Sequence, residues 1–166
     1  DVQLGSNSTV KPVPRPTKQG WMDRHSAINE RIKQGNVDLI MLGDSITHGW
    51  EGAGKQIWGK YYASRNAVNM GYNGDQTENV LWRLQNGEID GINPKLAVLM
   101  IGTNNTVDPN TSAEQIADGI KAIVCQLRTK LPETKVLILS IFPRGNYAQI
   151  RDKTLSCVTT NPDWIK

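Results

Sequence analysis

Two histidines and two cysteines are all that the 166 residues contain. Cysteine therefore says little about the fold. Cys125 sits in an apolar helical pattern and reads as a buried thiol, and whether it pairs with Cys157 stays open at this level. No His/Cys/Asp cluster has metal-ligand spacing, and no glycine loop carries the lysine of a phosphate cradle, so neither metal nor cofactor is expected. No apolar run approaches the length of a membrane-spanning helix. Charge of one sign is not massed either: nineteen basic residues against sixteen acidic give +3, scattered along the chain. That balance argues against nucleic acid or an anionic membrane as partner. There is no internal repeat and no second domain. With 38% hydrophobic and 21% charged residues, the composition is that of an ordinary globular domain.

What is present is a serine in a telling place. The string Gly43-Asp44-Ser45-Ile46-Thr47-His48-Gly49 follows Val37-Asp38-Leu39-Ile40-Met41-Leu42, a short apolar stretch of the kind a buried parallel strand shows. A serine at a strand-to-helix junction has its hydroxyl directed into the crevice at the carboxyl end of the sheet. Free backbone N–H groups lie beside it, able to stabilise an oxyanion. The same placement also suits a plain helix N-cap.

The rest of the chain alternates in the same way. Residues 1–17 are polar and rich in Pro, Ser and Thr, and read as an extended arm without structure of its own; residues 18–166 read as one domain. A helix is expected over Gly20 to Gln34, with Trp21, His25, Ile28 and Ile32 on one face. A Trp/Tyr-bearing helix follows at Ile57 to Tyr62, then a strand at Ala67 to Met70. The turn-rich loop Gly71 to Thr77 opens a helix with Val80, Leu81 and Leu84. A strand at Leu96 to Ile101 runs into Gly102-Thr103-Asn104-Asn105. The longest helix is expected to start at a capping box of Thr111 and Glu114 and to face the sheet through Ile116, Ile120, Ile123, Val124, Leu127 and Leu131. A fourth strand is expected over Val136 to Phe142, and past Pro143 only a helical turn or two. Strands alternating with helices predict an α/β fold of three layers, α/β/α, around a parallel sheet with right-handed crossovers.

In such a sheet three loops converge on one crevice: Gly43-Asp44-Ser45, Gly71-Tyr72-Asn73-Gly74-Asp75 and Gly102-Thr103-Asn104-Asn105. Ester cleavage needs an exposed nucleophile and two or three donors aimed at the developing oxyanion. Ser45 supplies the hydroxyl and its own N–H, Gly74 a backbone N–H, and Asn104 a side-chain amide. These blocks resemble the SGNH (GDSL-type) hydrolases, whose Ser, Gly, Asn and His head four sequence blocks. Val80-Leu81-Trp82-Arg83-Leu84 and Asn86-Gly87-Glu88 are similar to the branch typified by the catalytic subunits of platelet-activating-factor acetylhydrolase. The resemblance covers roughly Trp21 to Gly145 and implies a flavodoxin-like sheet and a serine esterase. It also implies a small-molecule ester or acetylated carbohydrate as substrate, a short, acetyl-sized acyl group, and a secreted or periplasmic setting.

The family's fourth block, an Asp-x-x-His after a fifth strand, has no counterpart here, and neither do that strand and the final helix. The tail reads as a natural truncation, a frameshifted end or an imposed boundary. His25, on the apolar stripe of its helix, reads as a packed core residue. His48 lies one helical turn after Ser45, where it would share a helix surface rather than approach the hydroxyl from across the crevice, so a surface or pocket-lining role stands beside that of base. Asp44 and Asn105 are candidate supporting residues, and Trp50, Trp58 and Trp82 read as core or pocket wall. Two alternatives to an esterase follow from the absent block. One is a non-catalytic protein that holds an ester or carbohydrate in the crevice. The other is a fragment completed by homo-oligomerisation through an uncovered sheet edge.

Overall fold

The computed structural model describes residues 6–143, the side chain of Gln19 excepted. The helical turns expected past Pro143, and Cys157 with its pairing, lie outside the described residues. Cys125 itself is half-buried on its helix rather than enclosed.

Helix α1 (Gln19–Lys33) buries Trp21, His25, Ile28 and Ile32, the four residues spaced for one face, and Gly35 closes it at a φ of +67°. Strand β1 (Leu39–Gly43) follows and is buried along its whole length. Helices α2 (Ser45–His48) and α3 (Lys55–Tyr61) then lead to β2 (Ala67–Gly71). Helix α4 (Thr77–Gln85) leads to β3 (Leu96–Met100), and α5 (Ala113–Lys130) to β4 (Lys135–Ile138). All pairings are parallel, in the order β2-β1-β3-β4.

The chain steps from β1 to β2 in one direction and from β2 over β1 to β3 and β4 in the other. Right-handed crossovers therefore place α2 and α3 on one face and α4 and α5 on the opposite face. On the latter face Ile40, Leu42, Val68, Met70, Ala97 and Leu99 pack with Ile28, Leu84, Ile123 and Leu127 into one continuous core. Alternate residues of β1, β3 and β4, among them Met41, Val98, Met100 and Leu137, line an open apolar groove of about 440 Å³ bordered by Ile46, Trp50 and Tyr62. That groove is a sheet face with its layer incomplete among the described residues, because its lining is the inward alternation of three strands rather than a set of convergent polar groups.

Three expectations shift on contact with the structure. The cap of α5 is Ser112, not Thr111: the Ser112 hydroxyl accepts from the Gln115 N–H, and the Gln115 side chain accepts from the Ser112 N–H at 2.8 Å. Thr111 is buried instead against Asp108. Strand β4 ends at Ile138, four residues short of the expected end. The N-terminal arm is docked rather than free. Its Ser8–Val10 segment forms a 3₁₀ turn, Thr9 is buried and accepts from the Thr77 hydroxyl at 3.0 Å through its carbonyl, and the Val13 carbonyl takes the Asn79 amide at 2.9 Å. The arm satisfies backbone and side-chain groups at the start of α4, which a polar composition alone does not announce.

Candidate active site

The strand register brings the three loops together. Gly43 at the end of β1 is level with Gly71 of β2 on one side and Met100 of β3 on the other. Neighbouring strands lie about 4.8 Å apart, so the loop carrying Ser45 leaves the sheet between the loop carrying Gly74 and the loop carrying Asn104. β1 is also where the connections diverge, to β2 on one side and β3 on the other, which is where open α/β sheets form their crevice.

Ser45 is exposed and is the first residue of α2. The N-cap is Asp44, fully buried, whose Oδ1 accepts from the Ile46 N–H at 2.9 Å. The capping role that could have explained Ser45 thus belongs to its neighbour. The turn sits flush on the sheet: a Cβ on Gly43 would stand 2.1 Å from Thr47 Oγ1.

Gly74 is exposed at a φ of +77°, and the Asp75 N–H bonds the Tyr72 carbonyl at 3.2 Å. A positive φ at the second central position is that of a type II turn, which glycine adopts without steric cost. Asn104 is half-buried, and its Nδ2 donates to the Asp75 carbonyl at 2.8 Å. An amide nitrogen has two protons, so this bond fixes the group and leaves the second proton for another acceptor. Asn105, in contrast, is turned inward. Its Oδ1 accepts from the Thr77 N–H and its Nδ2 donates to Glu78 at 3.0 Å, tying the loop after β3 to the start of α4.

The two histidines are placed differently. His25 is buried, with Nδ1 facing Glu88 Oε1 at 2.9 Å and Nε2 facing the Asn29 amide at 3.2 Å. Both ring nitrogens are engaged away from the crevice. His48 is half-buried, its Nε2 is 3.6 Å from Glu51 and its Nδ1 is enclosed. It lines a cleft of about 690 Å³ together with Arg15, Lys18, Arg24, Tyr72 and Gly74. Arg24 is spent on Glu51, at 2.6 and 2.9 Å, and on the Gly71 carbonyl at 2.8 Å. Of the tryptophans, Trp82 packs on His25 at 5.0 Å, and Trp50 and Trp58 cluster with Tyr62. Among the described residues no group of three or more metal-ligating side chains comes together, and no helix is long and apolar enough to cross a membrane.

Beneath the glycine loop lies a network that sequence reasoning missed. Arg83 is fully buried, with Nε donating to Asp75 Oδ2 at 2.9 Å and Nη1 to Glu88 Oε2 at 2.5 Å. Its guanidinium lies over the Tyr72 ring, 3.9 Å from the centroid. Trp21 Nε1 donates to Asp75 Oδ1 at 2.6 Å, and the Tyr72 hydroxyl donates to Glu88. Burial raises the Glu88 carboxyl, but the Arg83 charge and the bonds from His25 and Tyr72 outweigh it and hold it below its ordinary range. Burial pushes Asp75 up to about 6 against the opposing pull of Arg83. The available signal was Arg83 lying on the apolar stripe of its helix between Val80 and Leu84.

The GDSL-like lipase/acylhydrolase family model matches residues 41–164. The chain belongs to that family. Among its relatives are the platelet-activating factor acetylhydrolase IB subunit beta homolog of Drosophila melanogaster, 36% identical over 89% of this chain, and subunit alpha1 of Rattus norvegicus, 38% identical over 90%. The chain spans 65% and 64% of the length of those two proteins. A solved member of the lipolytic G-D-S-L family from Veillonella parvula superposes with a TM-score of 0.60 at 18% identity, covering 73% of this chain and 68% of that one. A GDSL-like lipase from Bacteroides thetaiotaomicron gives 0.58 at 16% identity, covering 81% and 64%. These structures share the fold, as the sequence pattern led one to expect of this GDSL-family chain.

Proposed function

We propose that this GDSL-family chain carries the nucleophile and oxyanion hole of a serine esterase acting on short, acetyl-sized esters. The Ser45 hydroxyl attacks the ester carbonyl. The Ser45 and Gly74 N–H groups and the free proton of the Asn104 amide receive the oxyanion. Collapse expels the alcohol and leaves acyl-Ser45, which water then hydrolyses. The observation that carries this reading is the register that levels Gly43 with Gly71 and Met100, with the Asn104 amide reaching Asp75 in the glycine loop. The acetyl preference is supported by the relatives named as platelet-activating factor acetylhydrolase subunits.

A second reading, a protein that holds an ester without turning it over, is favoured by the two histidines. His25 has both nitrogens in the core and His48 faces Glu51, so neither is a free base for Ser45. Without a base the hydroxyl is a weak nucleophile, and an oxyanion hole alone leaves roughly a thousandfold acceleration over water. The test is turnover of p-nitrophenyl acetate by the chain and by Ser45→Ala, with mass spectrometry of the Ser45 peptide. Turnover lost in the variant supports the esterase. Acetyl-Ser45 that accumulates without turnover indicates a site that acylates but lacks the base for deacylation. Equal rates in both proteins, with no acylation, overturn the esterase reading.

A further inference from the structure

We propose that Asp75 is a positioning residue for the oxyanion hole, joining its two outer donors, and that Arg83 is the anchor that holds Asp75 in place. This rests on the assignment of Gly74 and Asn104 as oxyanion donors. Asp75 follows Gly74 directly, so its position fixes the turn that aims the Gly74 N–H. Its carbonyl takes one proton of the Asn104 amide at 2.8 Å, so the same residue sets the direction of the other proton. Two donors from loops after β2 and β3 are thereby referred to one point.

That point is fixed by its carboxylate. Oδ2 accepts from Arg83 on α4 at 2.9 Å, Oδ1 accepts from Trp21 on α1 at 2.6 Å, and Arg15 of the N-terminal arm stands 3.7 Å from Oδ1. Arg83 is fixed in turn by Glu88, which also receives Tyr72 and His25. Asp75, Arg83 and Glu88 are all fully buried. An ion network of this kind is rarely more stable than well-packed apolar residues of the same volume. What it adds over an apolar core is directionality: each oxygen of Asp75 has a designated donor, so the loop cannot rotate without breaking a charge-assisted bond. Preorganised donors of this kind are worth most when they need not move during the reaction.

Two measurements on the full 166-residue chain test the proposal. The first is the side-chain amide signal of Asn104 in ¹⁵N NMR, assigned by its loss in Asn104→Asp. The groups facing the Asp75 carboxyl are Arg83, Trp21 and Arg15, with Glu88 beyond Arg83, and burial pushes that carboxyl up to about 6. The Asn104 amide is therefore expected to shift with pH through a midpoint near that value. In Asp75→Asn the pH response is expected to vanish, and the two amide protons to move toward the shifts of a free amide. The second is p-nitrophenyl acetate kinetics beside Ser45→Ala. Asp75→Asn is expected to lower kcat roughly tenfold to a hundredfold with KM nearly unchanged, and Arg83→Lys, which keeps the charge but not the two-way bridge, to lower it less.

A folded Asp75→Asn with an unchanged Asn104 signal overturns the proposal. If that variant does not fold, Trp21→Phe, which removes the Oδ1 donor and keeps an aromatic ring in place, decides instead: an Asn104 amide signal unchanged in it overturns the proposal equally. Turnover that is absent or independent of Ser45 sinks the esterase reading only, and the NMR result still decides the positioning role.

Discussion

A Cβ added to Gly71 would stand 2.2 Å from the backbone nitrogen of His48 and 2.6 Å from the Thr47 carbonyl carbon. The last residue of β2 is therefore a contact surface for the turn that presents Ser45, and backbone atoms on the other side cannot swing away as a flexible side chain could. Gly71→Ala should push α2 off the sheet end, at a cost of about 3 kcal/mol for overpacking. Urea unfolding measures that loss, and acylation of Ser45 should fall with it even in conditions where the variant stays folded. A variant with unchanged stability and acylation would mean that the turn adjusts freely.

The buried pair of Arg83 and Glu88 gives a second expectation. Glu88→Gln keeps the shape of the side chain but leaves Arg83 with Asp75 as its remaining carboxylate. Breaking a buried pair by neutralising one partner costs about 3–5 kcal/mol. Tyr72→Phe removes only the hydroxyl that donates to Glu88, a loss of about 2 kcal/mol for a bond to a charged group. The order of the two losses, read from denaturant midpoints at neutral pH, is the check. Equal small effects would mean that water enters and replaces the network.

The sheet and the three loops were legible because β1, β2 and β3 are short, largely apolar runs that end in or just before a glycine, and strands alternating with helices in parallel crossovers leave few topologies. Ser45, Gly74 and Asn104 could be singled out for the same reason, as residues at strand ends. Arg83, Asp75 and Glu88 were not legible as a network. Single charged residues on a helix or in a loop are usually solvated, and only tertiary packing, with Tyr72 against the guanidinium and Trp21 against Asp75, removes the water. The docked arm escaped notice for a related reason: Thr9 and Val13 act largely through backbone carbonyls, which every residue has.

Asp75 gives a pH dependence with a definite sign. Its carboxyl rises from 3.8 to about 6 on folding, so the folded state holds its proton more tightly than the unfolded chain. The stability from this group is complete below about pH 3.8 and is lost as pH rises through about 6, on the order of 3 kcal/mol in all. Glu88 has the opposite sign. Its carboxyl is held down, and its contribution is present above 4.5 and lost as pH falls below that value. Between about pH 4.5 and 6 the Asp75 contribution is no longer opposed by that of Glu88, and Asp75→Asn should reduce the slope of the stability curve there. Urea midpoints across that window for both proteins decide it, and a slope that survives unchanged in the variant assigns the effect elsewhere.

The open groove on the sheet makes the last expectation one of association. Leu137 is 48% exposed, Leu139 39% and Phe142 59%, and with Val98 and Met100 they form an apolar strip along β3, β4 and the segment that follows β4. β4 is also an edge strand of the described sheet, with an unpaired row of backbone groups on its outer side. An apolar strip beside a free edge favours self-association. The chain should therefore form dimers or larger species at micromolar concentration, and their population should fall in the double variant Leu137→Thr, Phe142→Ser. Both changes lie on exposed side chains, so cooperative unfolding should be retained. Sedimentation velocity over a concentration series separates the outcomes. A loss of association in the double variant places the contact on this face. Association that persists unchanged places it on the outer backbone edge of β4.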